Sequence, residues 1–216
     1  MEENQTVAVI GLGNIGQVVA GNLAKSGRHF IVGGRNIKKV NALAESWGAA
    51  AKPSNIPDAV KAADIIILAI PFGEISGFLK QYETSLQGKL IIDPSNPIAP
   101  DESGGFKKVI GNNESAGQLN VTALPNGAEL AKALGTLGAD SLAGAAFQKP
   151  EQAVLFYATD DTSINADVEQ LIRDNGFEPV RVGGLDQSIR LEVFGDLHEF
   201  GALGKTVTAA EAKGKI

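Results

Sequence analysis

Apolar residues in this chain fall into short blocks, and the spacing within the blocks sorts them into strands and helices. Runs rich in valine and isoleucine at 6–10, 29–33, 64–70, 89–93, 153–158 and 178–182 read as strands, several of them apolar on both faces as buried parallel strands must be. Between them, apolar positions recur at helical spacing over 14–26, 37–47, 75–85 and 163–175. The last helix is well punctuated: Asp160, Asp161 and Thr162 can cap its start, and Asn175-Gly176 closes it. Strands alternating with helices are the product of βαβ units, so the pattern predicts an α/β fold built on a mostly parallel sheet.

Four stretches depart from the alternation. Residues 94–113 carry Pro94, Pro97, Pro100, Gly104, Gly105 and Gly111 and read as a long loop with room for a short hairpin. Residues 128–137 have helical propensity in a place where the alternation asks for a strand. In 186–203, Ile189, Leu191, Val193, Phe194, Leu197, Phe200 and Leu203 cover more than one face of a helix, which calls for a second covering surface and predicts a homodimer. The tail, 205–216, reads as a frayed end. The expected division is a nucleotide-binding part over 1–145 and, over 146–216, a small α/β extension of the same sheet ending in a helical appendage.

Composition narrows the classes of function. The net charge of -6 argues against a nucleic-acid partner, which needs a basic face. With no cysteine, disulfides, thiolate metal sites and cysteine nucleophiles are excluded. Asp196, His198 and Glu199 do not share one helix face, so no metal site is expected there. The polar, acidic start and the lack of any run of about 20 apolar residues give no signal peptide or membrane span, and a cytoplasmic location is the default.

The first motif that carries chemistry is Gly11-Leu12-Gly13-Asn14-Ile15-Gly16, set between the strand Val7-Ala8-Val9-Ile10 and a helix. Gly11 permits the turn, Gly13 lets a pyrophosphate approach the backbone, Gly16 lets helix pack on strand, and the helix start offers free N–H groups. This is the dinucleotide-binding signature of a Rossmann-type, doubly wound sheet. NAD-binding folds usually end the second strand on Asp or Glu; here the chain reads Gly33-Gly34-Arg35-Asn36, with Lys39 one helical turn on. Arg35 and Lys39 suit a 2′-phosphate and Gly34 leaves room, so NADP is favoured over NAD. In such sheets ligands lie at the carboxyl ends of strands, which puts Ala69-Ile70-Pro71-Phe72 and Asp93-Pro94-Ser95-Asn96-Pro97 beside the ribose and nicotinamide.

These segments, with Lys132 to Ala139 and Asn175 to Val180, occur in an order that resembles the deazaflavin (coenzyme F420)-dependent NADP oxidoreductases, a family whose relatives include reductase domains of membrane ferrireductases. The resemblance implies an NADP-binding Rossmann domain with a small C-terminal part, and hydride transfer between NADPH and a deazaflavin or flavin over the nicotinamide. Residue by residue, it implies that Gly11, Gly13, Asn14, Ile15 and Gly16 contact pyrophosphate and that Arg35 and Lys39 contact the 2′-phosphate, with Gly34 and Asn36 beside them. Ala69, Ile70, Pro71 and Asn96 would line the ribose and nicotinamide, and Ala133 to Thr136 would approach the ring and the second substrate. It also favours a strand over 128–134. Gly34 and Gly135 depart from the family, which commonly has Ser or Thr at the first position and Asn or His at the second.

A general base is not required of such an enzyme, because hydride passes face to face between positioned rings. Thr136 and His198 are the candidates for a catalytic role, and a structural or interface role for His198 competes with catalysis. The acceptor stays open among deazaflavin, flavin, ferric chelate and small carbonyl or imine compounds. A second class of function also stays open: a protein that senses NADPH without turnover.

Overall fold

The computed structural model describes residues 5–216 and arranges their strands in one eight-stranded sheet with a separate two-stranded hairpin. In chain order the strands are β1 (Val7–Ile10), β2 (Phe30–Gly33), β3 (Ala51–Ser54), β4 (Ile65–Leu68), β5 (Leu90–Asp93), β6 (Ile98–Pro100), β7 (Phe106–Lys108), β8 (Glu129–Lys132), β9 (Val154–Thr159) and β10 (Glu178–Arg181). The helices are α1 (Asn14–Ser26), α2 (Ile37–Trp47), α3 (Ile56–Ala62), α4 (Phe72–Gln81), α5 (Glu83–Leu86), α6 (Ala116–Val121), α7 (Ala139–Gly144), α8 (Asn165–Asp174), α9 (Ser188–Leu191) and α10 (Ala209–Ala212). The large sheet runs β10-β9-β8-β5-β4-β1-β2-β3. Every neighbouring pair is parallel except β8 with β9.

Because β1 and β4 are apolar at every position and β5 at all but its last, Asp93, alternate residues feed two cores. Val7, Val9, Ile65 and Ile67 pack with Val19, Leu23, Val168 and Leu171, from α1 and α8. On the other face Ala8, Ile10, Ile66 and Leu68 pack with Val60, Ile75, Leu79 and Leu86, from α3, α4 and α5. The sheet is therefore doubly wound, as the pattern predicts.

Two helices match expectation end to end, α1 and α2. Residues 94–113 hold the β6–β7 hairpin, and β8 settles the ambiguous stretch as strand. Other expectations are corrected. The helix expected over 75–85 starts directly after Pro71, whose φ of -57° suits a helix entry, and breaks at Tyr82 into α4 and α5. The edge strand β3 and the short helices α3, α6 and α7 had no sequence counterpart.

The largest correction concerns the C-terminal part. Residues 186–203 are not one amphipathic helix: α9 ends at Leu191, Glu192 is extended, and the chain then turns repeatedly. Gly195 and Gly201 let it fold back on itself, since a Cβ at Gly201 would lie 1.9 Å from the Gly195 carbonyl oxygen and one at Gly195 would lie 2.3 Å from that of Arg190. Leu191, Leu197 and Leu203 thereby reach Val154, Phe156 and Ala158 on the open face of β9. The excess apolar surface is thus covered largely within the chain. Nor is the tail frayed: Val207 and Ala212 are buried in the same cluster, Thr208 bridges Ala153, and Thr208 with Glu211 forms a capping box on α10.

Candidate functional site

Five parallel strands, β2, β1, β4, β5 and β8, end on one rim of the sheet, and the residues singled out by sequence collect there. The glycine loop shows why each glycine is needed. A Cβ on Gly11 would sit 2.4 Å from the Ala69 carbonyl oxygen, and one on Gly16 would sit 1.9 Å from that of Gly11, so the β1 turn, the β4 end and α1 touch backbone to backbone. At Gly13, in contrast, a Cβ would meet nothing within 4 Å. Gly13 is the N-cap of α1, no side chain caps that end, and no acidic residue stands in its first turn. An exposed helix start with free amides and an open approach fits a pyrophosphate.

At the end of β2, Gly34 is closely approached: a Cβ would lie 3.0 Å from Val40 Cγ2, and that side chain would have to give way to a Ser or Thr there. Asn36 is a helix cap: its Oδ1 accepts from the Lys39 amide at 3.2 Å. The Arg35 side chain is 84% exposed and pairs with Glu74 at 3.8 Å, a solvent-screened pair that a phosphate could displace. Lys39 Nζ donates to the Leu12 carbonyl at 3.0 Å, tying α2 to the glycine loop while its ammonium stays at the surface. Nothing acidic ends β2, so the residues present fit a 2′-phosphate better than a free ribose hydroxyl.

Farther along the rim, Ala69 and Ile70 are half-buried and Pro71 is exposed, whereas Ala133, Leu134, Gly135 and Thr136 are covered. The cover is the C-terminal segment. Asn96 ties the layers, donating to the Gly135 carbonyl at 3.1 Å and accepting from the Val193 amide at 2.7 Å. No side chain fits at Gly135, where a Cβ would lie 2.4 Å from the Pro94 carbonyl oxygen; this accounts for the second departure from the family.

Neither residue considered for catalysis stands free in the cleft. His198 is 1% exposed, its Nδ1 accepts from the Phe200 amide at 2.9 Å, and the imidazole also bonds the Gly135 backbone. Burial pushes its pKa down to about 4, so it is a neutral strut at physiological pH. The Thr136 hydroxyl is buried without a hydrogen-bond partner among the described residues, and its carbonyl accepts from Glu199 at 3.0 Å.

Sequence reasoning missed a buried ionic cluster beneath this rim. Lys132, the last residue of β8, places Nζ 3.2 Å from Asp93 Oδ2 at the end of β5 and 3.9 Å from Glu192 Oε1, with all three side chains at most 4% exposed. Lys132 Nζ also donates to the Ser95 carbonyl. Asp93 accepts from the Ser95 amide at 2.7 Å and from Asn120 Nδ2 at 2.9 Å. Glu192 accepts from the amides of Ala116 and Gly117 at 3.0 and 3.1 Å. The only sequence signal was a lysine closing a strand whose other inner positions are apolar.

Grooves of about 720 and 660 Å³ lie at the opposite end of the sheet around Gln5, Asp64, Lys89 and Arg28. Backbone geometry and charge, not cavity size, select the rim. No helix of the described residues is long and apolar enough to cross a membrane.

Comparison with known proteins agrees with this geometry. Residues 6–97, which run from β1 to the turn after β5, match the family described as NADP oxidoreductase, coenzyme F420-dependent. A hypothetical protein from Sinorhizobium meliloti, SMa0349, superposes with a TM-score of 0.82 at 25% identity, covering 96% of this chain and 97% of that one. A structure from Arthrobacter sp. FB24, provisionally named an F420-dependent NADP reductase, gives 0.70 at 22% identity, over 85% of this chain and 87% of that one. The reductive aminase of Aspergillus terreus, in complex with NADPH and ethyl levulinate, gives 0.60 at 22% identity; 86% of this chain covers 57% of that longer one.

Proposed function

We propose, taking as premise that residues 6–97 carry the fold of the F420-dependent NADP oxidoreductases, that this chain binds NADP(H) along the rim and transfers hydride between NADPH and a deazaflavin or flavin-like acceptor. The observation that carries the reading is the pairing of an open Gly13 cradle with the exposed Arg35 on a β2 end that lacks a carboxylate. The bound dinucleotide would supply the chemistry, giving up or taking a hydride at its nicotinamide. Gly11, Gly13, Asn14, Ile15 and Gly16 would hold the pyrophosphate, with Arg35 and Lys39 on the 2′-phosphate and Gly34 and Asn36 shaping that corner. Ala69, Ile70, Pro71 and Asn96 would orient the ring, and the covered Ala133 to Thr136 layer would exclude water beneath it.

The test of the cofactor is Arg35→Ala in fluorescence titrations. Loss of a charge-assisted pair worth about 1.5 to 3 kcal/mol should raise the Kd for NADPH roughly 10- to 100-fold and leave NADH almost unchanged. Equal losses for both would sink the NADP assignment. The acceptor is tested by stopped-flow oxidation of NADPH against deazaflavin, flavin, ferric chelates and small carbonyl or imine compounds. The burial of Thr136 and His198 favours acceptors that need no side-chain acid at the ring, and it equally supports the second reading, an NADPH sensor without turnover. Tight NADPH binding with no oxidation by any acceptor would decide for the sensor. We place the protein in the cytoplasm and expect it to act as a homodimer.

A further inference from the structure

Charge in the buried cluster does not balance. Lys132 contributes one cation and Asp93 and Glu192 two carboxylates, all inside a layer that water does not reach. Asp93 is the last residue of β5, which neighbours β4, and Lys132 is the last residue of β8, which neighbours β5 on its other side. The cluster therefore adjoins the segments 93–96 and 133–136, two of those that flank the nicotinamide in the reading above, on which this inference rests.

We propose that Glu192, by leaving the Asp93–Lys132–Glu192 cluster with one uncompensated negative charge, makes the site hold NADP+ more tightly than NADPH and so makes bound NADPH the stronger hydride donor. The two redox forms share every phosphate and hydroxyl and differ at the nicotinamide, which is cationic when oxidised and neutral when reduced. A fixed negative charge in the layer that would carry the ring would act on that difference alone. Binding the product of hydride donation better than the donor drives electrons outward to the acceptor, by the same factor that separates the two affinities.

The groups that face Glu192 are Asp93 from β5, Lys132 from β8, and the amides of Ala116 and Gly117 from the start of α6; His198 and Glu199 follow on its own segment. His198 is neutral, and Glu199 is engaged with the Gly138 amide and the Ser141 hydroxyl. Burial pushes the Glu192 carboxyl above its ordinary range, with Lys132 and the two amides pulling the other way, so acidification removes this charge sooner than it would that of an exposed glutamate.

The experiment measures Kd for NADP+ and for NADPH on the whole chain, wild type and Glu192→Gln. A unit charge about 10 Å away at an effective dielectric of about 20 is worth roughly a tenfold change, so the variant should lose about tenfold of its preference for NADP+ while NADPH affinity stays within about twofold. If both affinities change by the same factor, or neither changes, Glu192 is merely structural and the proposal fails. Should the variant not fold, the wild type alone provides the test, because its preference for NADP+ must decline as the pH is lowered from neutral through the range in which the fold persists. The phosphate ionisations are common to both forms and cancel in the ratio. A ratio constant across that range overturns the proposal. Wild type that binds neither dinucleotide would instead overturn the cofactor reading itself, and this inference with it.

Discussion

Gly13 and Gly16 are alike in sequence and opposite in what surrounds them, which makes them a paired test of the glycine loop. Gly13→Val puts its side chain into open space, so the fold should survive with a midpoint of unfolding close to wild type, while binding of NADPH and NADH alike is lost because the pyrophosphate approach is filled. Gly16→Val instead drives a Cβ toward the Gly11 carbonyl oxygen, and stability should fall with binding. A folded Gly13→Val protein that keeps its affinity would show that the loop is only a turn. His198 makes a second prediction. Its folded pKa of about 4 lies below the unfolded value of about 6.5, so unfolded chain binds the proton first. Its contribution is fully present above about pH 6.5 and is lost as pH falls toward about 4, up to about 3 kcal/mol. The imidazole resonances should hold their neutral-form positions at pH 6; movement near an ordinary histidine pKa would show that the ring is not buried.

At the scale of elements, the C-terminal tail is a structural member and not a loose end. Val207 and Ala212 cover the open face of β9, and the capping box fixes α10 at the turn that carries them. Truncation after Gly204 should cost roughly 2 to 4 kcal/mol through lost apolar burial, and denaturant unfolding would read it directly. An unchanged midpoint would mean that the tail does not dock. This part of the chain was also the least legible in sequence, for a physical reason. Leucines at 191, 197 and 203 would point to three different faces of a helix, and they reach β9 together only through backbone contacts at Gly195 and Gly201 that no periodicity records. Elements whose signals are local came through well: α1 between Gly13 and Gly27, α2 between its Asn36 cap and Gly48, the wholly apolar β1 and β4, and β5 with its apolar run before Asp93. β3 escaped notice because an edge strand reading Ala-Lys-Pro-Ser has neither apolar run nor alternation. For the site the same division holds. The glycine loop and Arg35 are contiguous signatures, whereas Asp93, Lys132 and Glu192 are brought together only by strand order.

Over the whole molecule, the parallel strands converge on one rim, and the reversal at β8–β9 sends the chain around to close that rim with residues 192–203. Closure buries Leu191, Val193, Leu197 and Leu203 but leaves Phe194 53% and Phe200 52% exposed on the same cover. Phe200 lies against His198, with ring centroids 5.6 Å apart, so its position is set by the strut that braces Gly135. Two half-exposed aromatic rings on this cover are the remnant of the apolar excess that the sequence displays, and a two-fold contact between copies would cover both at once. Light scattering at micromolar concentration should therefore give the mass of a dimer, and the double variant Phe194→Asp, Phe200→Asp should give that of a monomer. Because the glycine loop and Arg35 stand at the other end of the rim, the variant should retain NADPH affinity within about twofold and lose turnover with bulky acceptors. A monomeric wild type with normal turnover would show that the segment completes the acceptor site within a single chain.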